Sequence, residues 1–134
     1  MKIVVIQWHD GNLHGIRENV AKINEARAKE IIYTSDPEEV METIRDGDPA
    51  LVVSGQVLGL REYGTDLAHR VKHANPRALF FIYSVMPKTN EAVDGVIPKE
   101  EGTLVTGEHS LLARILASNL NGATPESMRT AWGI

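Results

Sequence analysis

Cysteine is absent from the 134 residues, and that single absence removes disulfide frameworks, thiolate zinc sites and cysteine nucleophiles together. An excess of basic charge is missing as well. The 14 Lys+Arg against 18 Asp+Glu leave a formal net charge of −4, whereas a chain that grips phosphate backbones usually carries a basic face. No nucleic-acid partner is therefore expected. Long apolar runs are also lacking: the first, Ile3 to Ile6, stops at polar Gln7, too short for a signal-peptide core or a membrane span. No membrane partner and a cytoplasmic location follow as expectations, and the missing cysteines fit a reducing compartment. What remains is an ordinary globular composition, 43% apolar and 24% charged. A chain of this length buries roughly two-thirds of its unfolded surface, enough for a core without staples.

The order of segments says more than the composition. Short apolar runs rich in β-branched or aromatic residues stand at Lys2–Gln7, Glu30–Thr34, Ala50–Val53, Ala78–Ser84 and Gly95–Pro98. They are continuous and not alternating, as expected of parallel strands covered by helices on both faces. Between the first two, Leu13, Ile16, Val20 and Ile23 recur on one face of a helix predicted over Leu13–Lys29. The next helix has a legible start, with Ser35 or Asp36 as N-cap, Pro37 in the first turn and Glu38-Glu39 on the positive end of the dipole. Val40, Met41 and Ile44 face inward, and Gly47 ends it. A further helix carries Tyr63, Leu67 and Val71 and stops before Asn75-Pro76. The last, about Glu108–Asn121, turns Leu111, Leu112, Ile115, Leu116 and Leu120 inward.

Strands alternating with helices predict an α/β domain with a parallel sheet. For five strands the default is the flavodoxin-like order 2-1-3-4-5, with the site at the carboxyl ends of the strands near the switch between strands 1 and 3. That rule nominates Gln7 to Asp10, Ser54 to Gly59, Ser84 and Lys99. The expected organisation is one domain over 1–121 and a C-terminal tail over 122–134, in which Thr124-Pro125-Glu126 caps a short helix carrying Met128 and Trp132.

At this level the residues resemble the response-regulator receiver domain. The stretch Asp48-Pro49-Ala50-Leu51-Val52-Val53-Ser54-Gly55-Gln56-Val57-Leu58-Gly59 is similar to that family's strand 3 and the loop after it. Gly64-Thr65-Asp66-Leu67 is similar to the Gly-x-x-Leu that opens its third helix. The run Ala78 to Ser84 looks like strand 4 with its switch hydroxyl, and Gly95-Val96-Ile97-Pro98-Lys99 like strand 5 with its Lys. The resemblance implies a signalling domain in which an Asp ending strand 3 accepts a phosphoryl group beside Mg²⁺. It also assigns Ser84 and Lys99 to the phosphoryl oxygens.

The departures bear on that chemistry. Ser54 occupies the phosphoacceptor position in this alignment, and a Ser hydroxyl without a base is a poor nucleophile. The family's acidic pair after strand 1 aligns with Gln7-Trp8 if the strand is the anchor, and Asp10 replaces one acid if the helix is. One carboxylate at most remains for a metal that prefers several hard oxygens. The expected reading is a degenerate receiver, a pseudo-receiver without the phosphoacceptor, non-enzymatic and without a cofactor. Only Val85-Met86-Pro87-Lys88-Thr89-Asn90-Glu91-Ala92-Val93 separate Ser84 from Asp94, too few for the family's fourth helix, so that helix is expected to be missing or reduced. The flank this leaves needs a cover. Val85, Met86, Met128 and Trp132 are the candidate contact groups for a protein partner or a homodimer, or for closing the monomer's own core.

Other readings stay open at this stage. Ser54, Ser84 and Lys99 form a candidate anion site for a small-ligand sensor. The string Asp10-Gly11-Asn12-Leu13-His14-Gly15 is similar to the Asp-x-His-x-x-Gly signature of cobalamin-binding domains, but Asn12 stands where the ligand His belongs. His9, Asp10 and His14 offer acid–base groups for a small enzyme, although no nucleophile, base and orienter can be assembled around them. His69 and His73 have a helical i, i+4 spacing, two ligands where a site needs more.

Overall fold

All five apolar runs become strands of one parallel sheet in the order β2-β1-β3-β4-β5. The computed structural model describes residues 1–59, 62–99 and 109–134. Its strands are β1 (Lys2–Ile6), β2 (Ile32–Thr34), β3 (Ala50–Ser54), β4 (Ala78–Ser84) and β5 (Gly95–Pro98). The helices are α1 (Asp10–Ile23), α2 (Glu25–Glu30), α3 (Pro37–Ile44), α4 (Gly64–Ala74), α5 (Leu111–Ala117) and α6 (Pro125–Trp132). Among them, none is long and apolar enough to cross a membrane.

Strand pleating divides the core in two. Ile3, Val5, Leu51, Val53, Phe81 and Ile97 pack under α1, α2, α5 and α6, while Val4, Ile6, Val52, Phe80 and Ile82 pack under α3 and α4. Every residue of β3 is buried, which explains the continuous apolar run.

Several local expectations change. The predicted helix over Leu13–Lys29 is two helices, because Asn24 adopts an extended conformation (φ −151°) that ends α1, and its side chain then accepts from the Arg27 N–H to cap α2. The break turns Ile23 out to solvent. Glu30 ends α2 and does not begin β2. Tyr63 is the residue before α4 and is exposed, so the buried face of α4 is Leu67, Ala68 and Val71. Asp36 is the α3 cap, accepting from the Glu38 N–H at 2.9 Å.

No helix forms among the described residues 85–94. The connection closes the flank itself: Ala92 is buried in the α3/α4 core, and the Asn90 side chain donates to the Thr65 carbonyl of α4 at 3.0 Å. The C-terminal segment is equally part of the core. Thr124 and Ser127 cap α6 reciprocally, Met128 is 2% exposed, and Arg129 donates to the Asp94 carbonyl at 2.7 Å.

One core-edge group supplies a pH prediction. The Tyr33 hydroxyl is buried with no hydrogen-bond partner among the described residues, and burial pushes its pKa up from 10.0 to about 12, an effect that Arg17 beside the ring partly offsets. The folded state therefore holds the neutral phenol after the unfolded chain has ionised, and the stability it contributes is lost as pH rises from about 10 through about 12. Tyr33→Phe is expected to flatten this alkaline limb without lowering stability at neutral pH. Thermal melts of both proteins across that range check it; parallel curves would refute the burial argument.

Candidate functional site at the carboxyl ends of the strands

The ladder places Ile6, Ser54, Ile82 and Val96 in one row. Ile6 and Ile82 face α3 and α4, and Ser54 turns the same way. It is fully buried, and its Oγ donates to the Gly55 carbonyl at 2.8 Å beneath Gly64, where a Cβ would lie 3.1 Å from that Oγ. The next residue on each strand faces the opposite side. Gly55 accordingly lies against the Gln7 side chain, since a Cβ added to it would stand 3.2 Å from Gln7 Oε1.

This alternation corrects the predicted anion site. A cleft of about 360 Å³ opens at the strand ends, and Gln7, Trp8, Gly55, Tyr83, Ser84 and Lys99 are among its lining residues; Ser54 is not. Ser84 and Lys99 both line it, whereas Ser54 is sealed on the other face. Ser84 Oγ accepts from the Met86 N–H at 3.3 Å, and Lys99 Nζ stands 5.6 Å from the Tyr83 ring centroid, within cation–π range.

Tyr83 is a cleft residue that the sequence does not nominate, and Gln7 and Gly55 are nominated only by their place at the strand ends. Gln7 carried a signal, being the polar residue that ends the first apolar run. The residue is 5% exposed, and its Nε2 has no hydrogen-bond partner among the described residues. A neutral amide that is buried without a partner carries a desolvation cost of about 1–3 kcal/mol.

Among the described residues, the acids of the region lie elsewhere. Asp10, the weak metal candidate, sits exposed in the first turn of α1 and is not among the residues lining the cleft. No carboxylate occurs among the described lining residues, and no group of three His, Asp or Glu that could hold a metal occurs among the described residues at all. The Mg²⁺ that a receiver-type site requires does not fit this donor set, which offers amides, a hydroxyl and an ammonium.

The remaining sequence candidates do not converge. Asp10 to Gly15 form the first turns of α1 and not a loop; His14 points to solvent and lies 3.1 Å from Glu18. That placement removes the cobalamin-type arrangement. His9 stacks on Trp8 with ring centroids 5.1 Å apart, so it forms part of the cleft wall. His69 lies 3.5 Å from Glu91 on the surface, and His73 is exposed. Of the contact candidates, Val85 and Met86 are exposed, Met86 at 82%. Met128 is not available, because it is buried in the core, and Trp132 packs partly against that same core. Trp8 and Val57, both exposed, join Val85 and Met86 at this end of the sheet.

Fold and cleft together define a flavodoxin-like α/β domain with its open end at the switch between β1 and β3. The fold is that of a receiver: the isolated REC domain of RcsB from Salmonella enterica serovar Typhimurium, solved in the presence of the phosphomimetic BeF3-, superposes with a TM-score of 0.62 at 18% identity, over 97% of this chain and 96% of that one. No family model and no curated protein matches the sequence.

Proposed function

We propose that this chain is a pseudo-receiver, a cytoplasmic signalling domain of two-component type that acts by contact with a protein and not by cycling a phosphoryl group. The observation that carries the reading is the donor set of the strand-end cleft. Receiver chemistry needs an ionised carboxylate as acceptor and further carboxylates for Mg²⁺. Here Gln7-Trp8 follow β1 and Ser54-Gly55 close β3, so whichever of Ser54 and Gly55 is taken as the acceptor position, no carboxylate stands there. The chain is accordingly non-enzymatic in this reading.

Contact is assigned to the apolar groups at this end, Trp8, Val57, Val85 and Met86, which are exposed. A second copy is the partner to test first. Incubation with acetyl phosphate and Mg²⁺ followed by intact-mass measurement is expected to show no phosphoryl adduct; a stable adduct would overturn the reading. Sedimentation velocity over a concentration series is expected to show association that Met86→Glu weakens by at least about tenfold, the size of one well-packed anchor. A chain that stays monomeric throughout would remove self-association.

A further inference from the structure

We propose that the strand-end cleft binds a small organic anion, a carboxylate on an apolar body, without a metal ion. The proposal goes beyond the pseudo-receiver reading and shares Trp8, Val57 and Val85 with its contact surface, but it is tested apart from it. Its first support is Gln7: an amide 5% exposed, with Nε2 unpartnered among the described residues, lines the cleft beside Gly55. A buried donor of this kind calls for an acceptor atom, which a water or a ligand in the cleft supplies. The second is Lys99, whose ammonium shares the cleft and lies over the Tyr83 ring. The Ser84 hydroxyl accepts from the Met86 N–H and so keeps its own hydrogen to donate.

Three donors and no carboxylate among the described lining residues select against cations and for an anion. A carboxylate accepts from an amide and an ammonium at once through its two oxygens, and such charge-assisted bonds are the strong ones. The walls point to the rest of the ligand. The Trp8 indole, stacked on His9, faces the cleft with Val57 and Val85. A shallow groove of about 210 Å³, lined in part by Gly11 and Gly15 of α1, shares Asn12, Tyr83 and Lys99 with the cleft and continues it. A Cβ added at either glycine meets nothing within 4 Å, so the groove has open space for an apolar tail.

Trp8 reports directly. In a Trp132→Phe background its fluorescence is followed in EDTA while acetate, benzoate, 4-phenylbutanoate, benzyl alcohol or inorganic phosphate is added. Benzoate and 4-phenylbutanoate are expected to saturate the signal at millimolar concentration and to raise the melting temperature, with benzyl alcohol, acetate and phosphate at least about tenfold weaker. Lys99→Met and Gln7→Leu are expected to weaken benzoate at least about tenfold. Gly15→Leu, whose Cβ would stand in open space on a helix, is expected to fold and to weaken 4-phenylbutanoate more than benzoate. No saturable response to either aromatic carboxylate overturns the proposal. So does phosphate binding as tightly as benzoate, a response that needs Mg²⁺, or affinity unchanged in both Lys99→Met and Gln7→Leu. Failure of this titration leaves the acetyl phosphate result untouched, so the two readings are separable.

Discussion

Asp94→Ala is expected to cost about 2–3 kcal/mol of stability, because it removes the residue that holds β5 in place of a covering helix. Asp94 Oδ2 accepts from Lys72 Nζ at 2.5 Å and from the Phe80 N–H at 2.8 Å, while Lys72 Nζ also donates to the Ala78 carbonyl at 2.7 Å. The Asp94 main chain adds a bond from its N–H to the Phe80 carbonyl, 2.8 Å, and accepts from Arg129 of α6. Removing the carboxylate strands a cation whose side chain is only 24% exposed, together with a main-chain N–H of β4. Breaking a fully buried pair from one side costs about 3–5 kcal/mol; water reaches Lys72 in part, which lowers the figure. Urea denaturation measures it. Lys72→Met in the same background is expected to recover part of the loss, since no lone charge is then left. A cost below about 0.5 kcal/mol would place the pair with ordinary surface bridges and refute the assignment.

Gly64→Ala is expected to be at least as damaging, about 3 kcal/mol, through overpacking. A Cβ at Gly64 would overlap the Gly55 carbonyl oxygen, which is main chain and cannot swing aside, and would come within 2.7 Å of Ile82 Cδ1. The Gly64 N–H also donates to the Gln56 carbonyl at 2.7 Å, so α4 has no room to retreat without losing that bond. The same contact seals Ser54, and loosening it is expected to disturb the cleft floor at Gly55. Gly15→Ala is the control. It sits on α1 with nothing near the new Cβ, and the substitution is expected to stabilise by about 0.5–1 kcal/mol. Thermal and urea unfolding of the two variants must move in opposite directions; if Gly64→Ala is neutral, the close approach of α4 to the β3 loop is wrong.

The two glycines illustrate how far the amino-acid order reaches. The parallel sheet and the bounds of β4 and β5 follow from the spacing of apolar runs; the strand order is the default for five such strands, and Gly64 as a helix opening and the missing helix before β5 are read from the receiver resemblance. That Gln7-Trp8 and Ser54-Gly55 carry no carboxylate is likewise a matter of residue types in order. The break at Asn24 was not legible, because Ile23 continues the apolar stripe of α1 and one extended residue leaves no mark in periodicity. The docking of α6 was not legible either: whether Met128 enters the core or faces a partner depends on a cluster that residues far apart in the sequence build together.

Which of Ser54 and Gly55 faces the cleft is a question of phase, and the phase of a strand is readable only where polar and apolar residues alternate. β3 is buried on both faces, so Val52, Val53 and Ser54 carry no alternation, and a one-residue offset is invisible until β1 and β4 pair with it. Pairing turned Ser54 beneath Gly64 and left Gly55 beside the Gln7 side chain, whose Nε2 has no partner among the described residues. The residue types thus set the chemistry that the strand ends lack, and the register of three neighbouring strands set which side chains line the cleft.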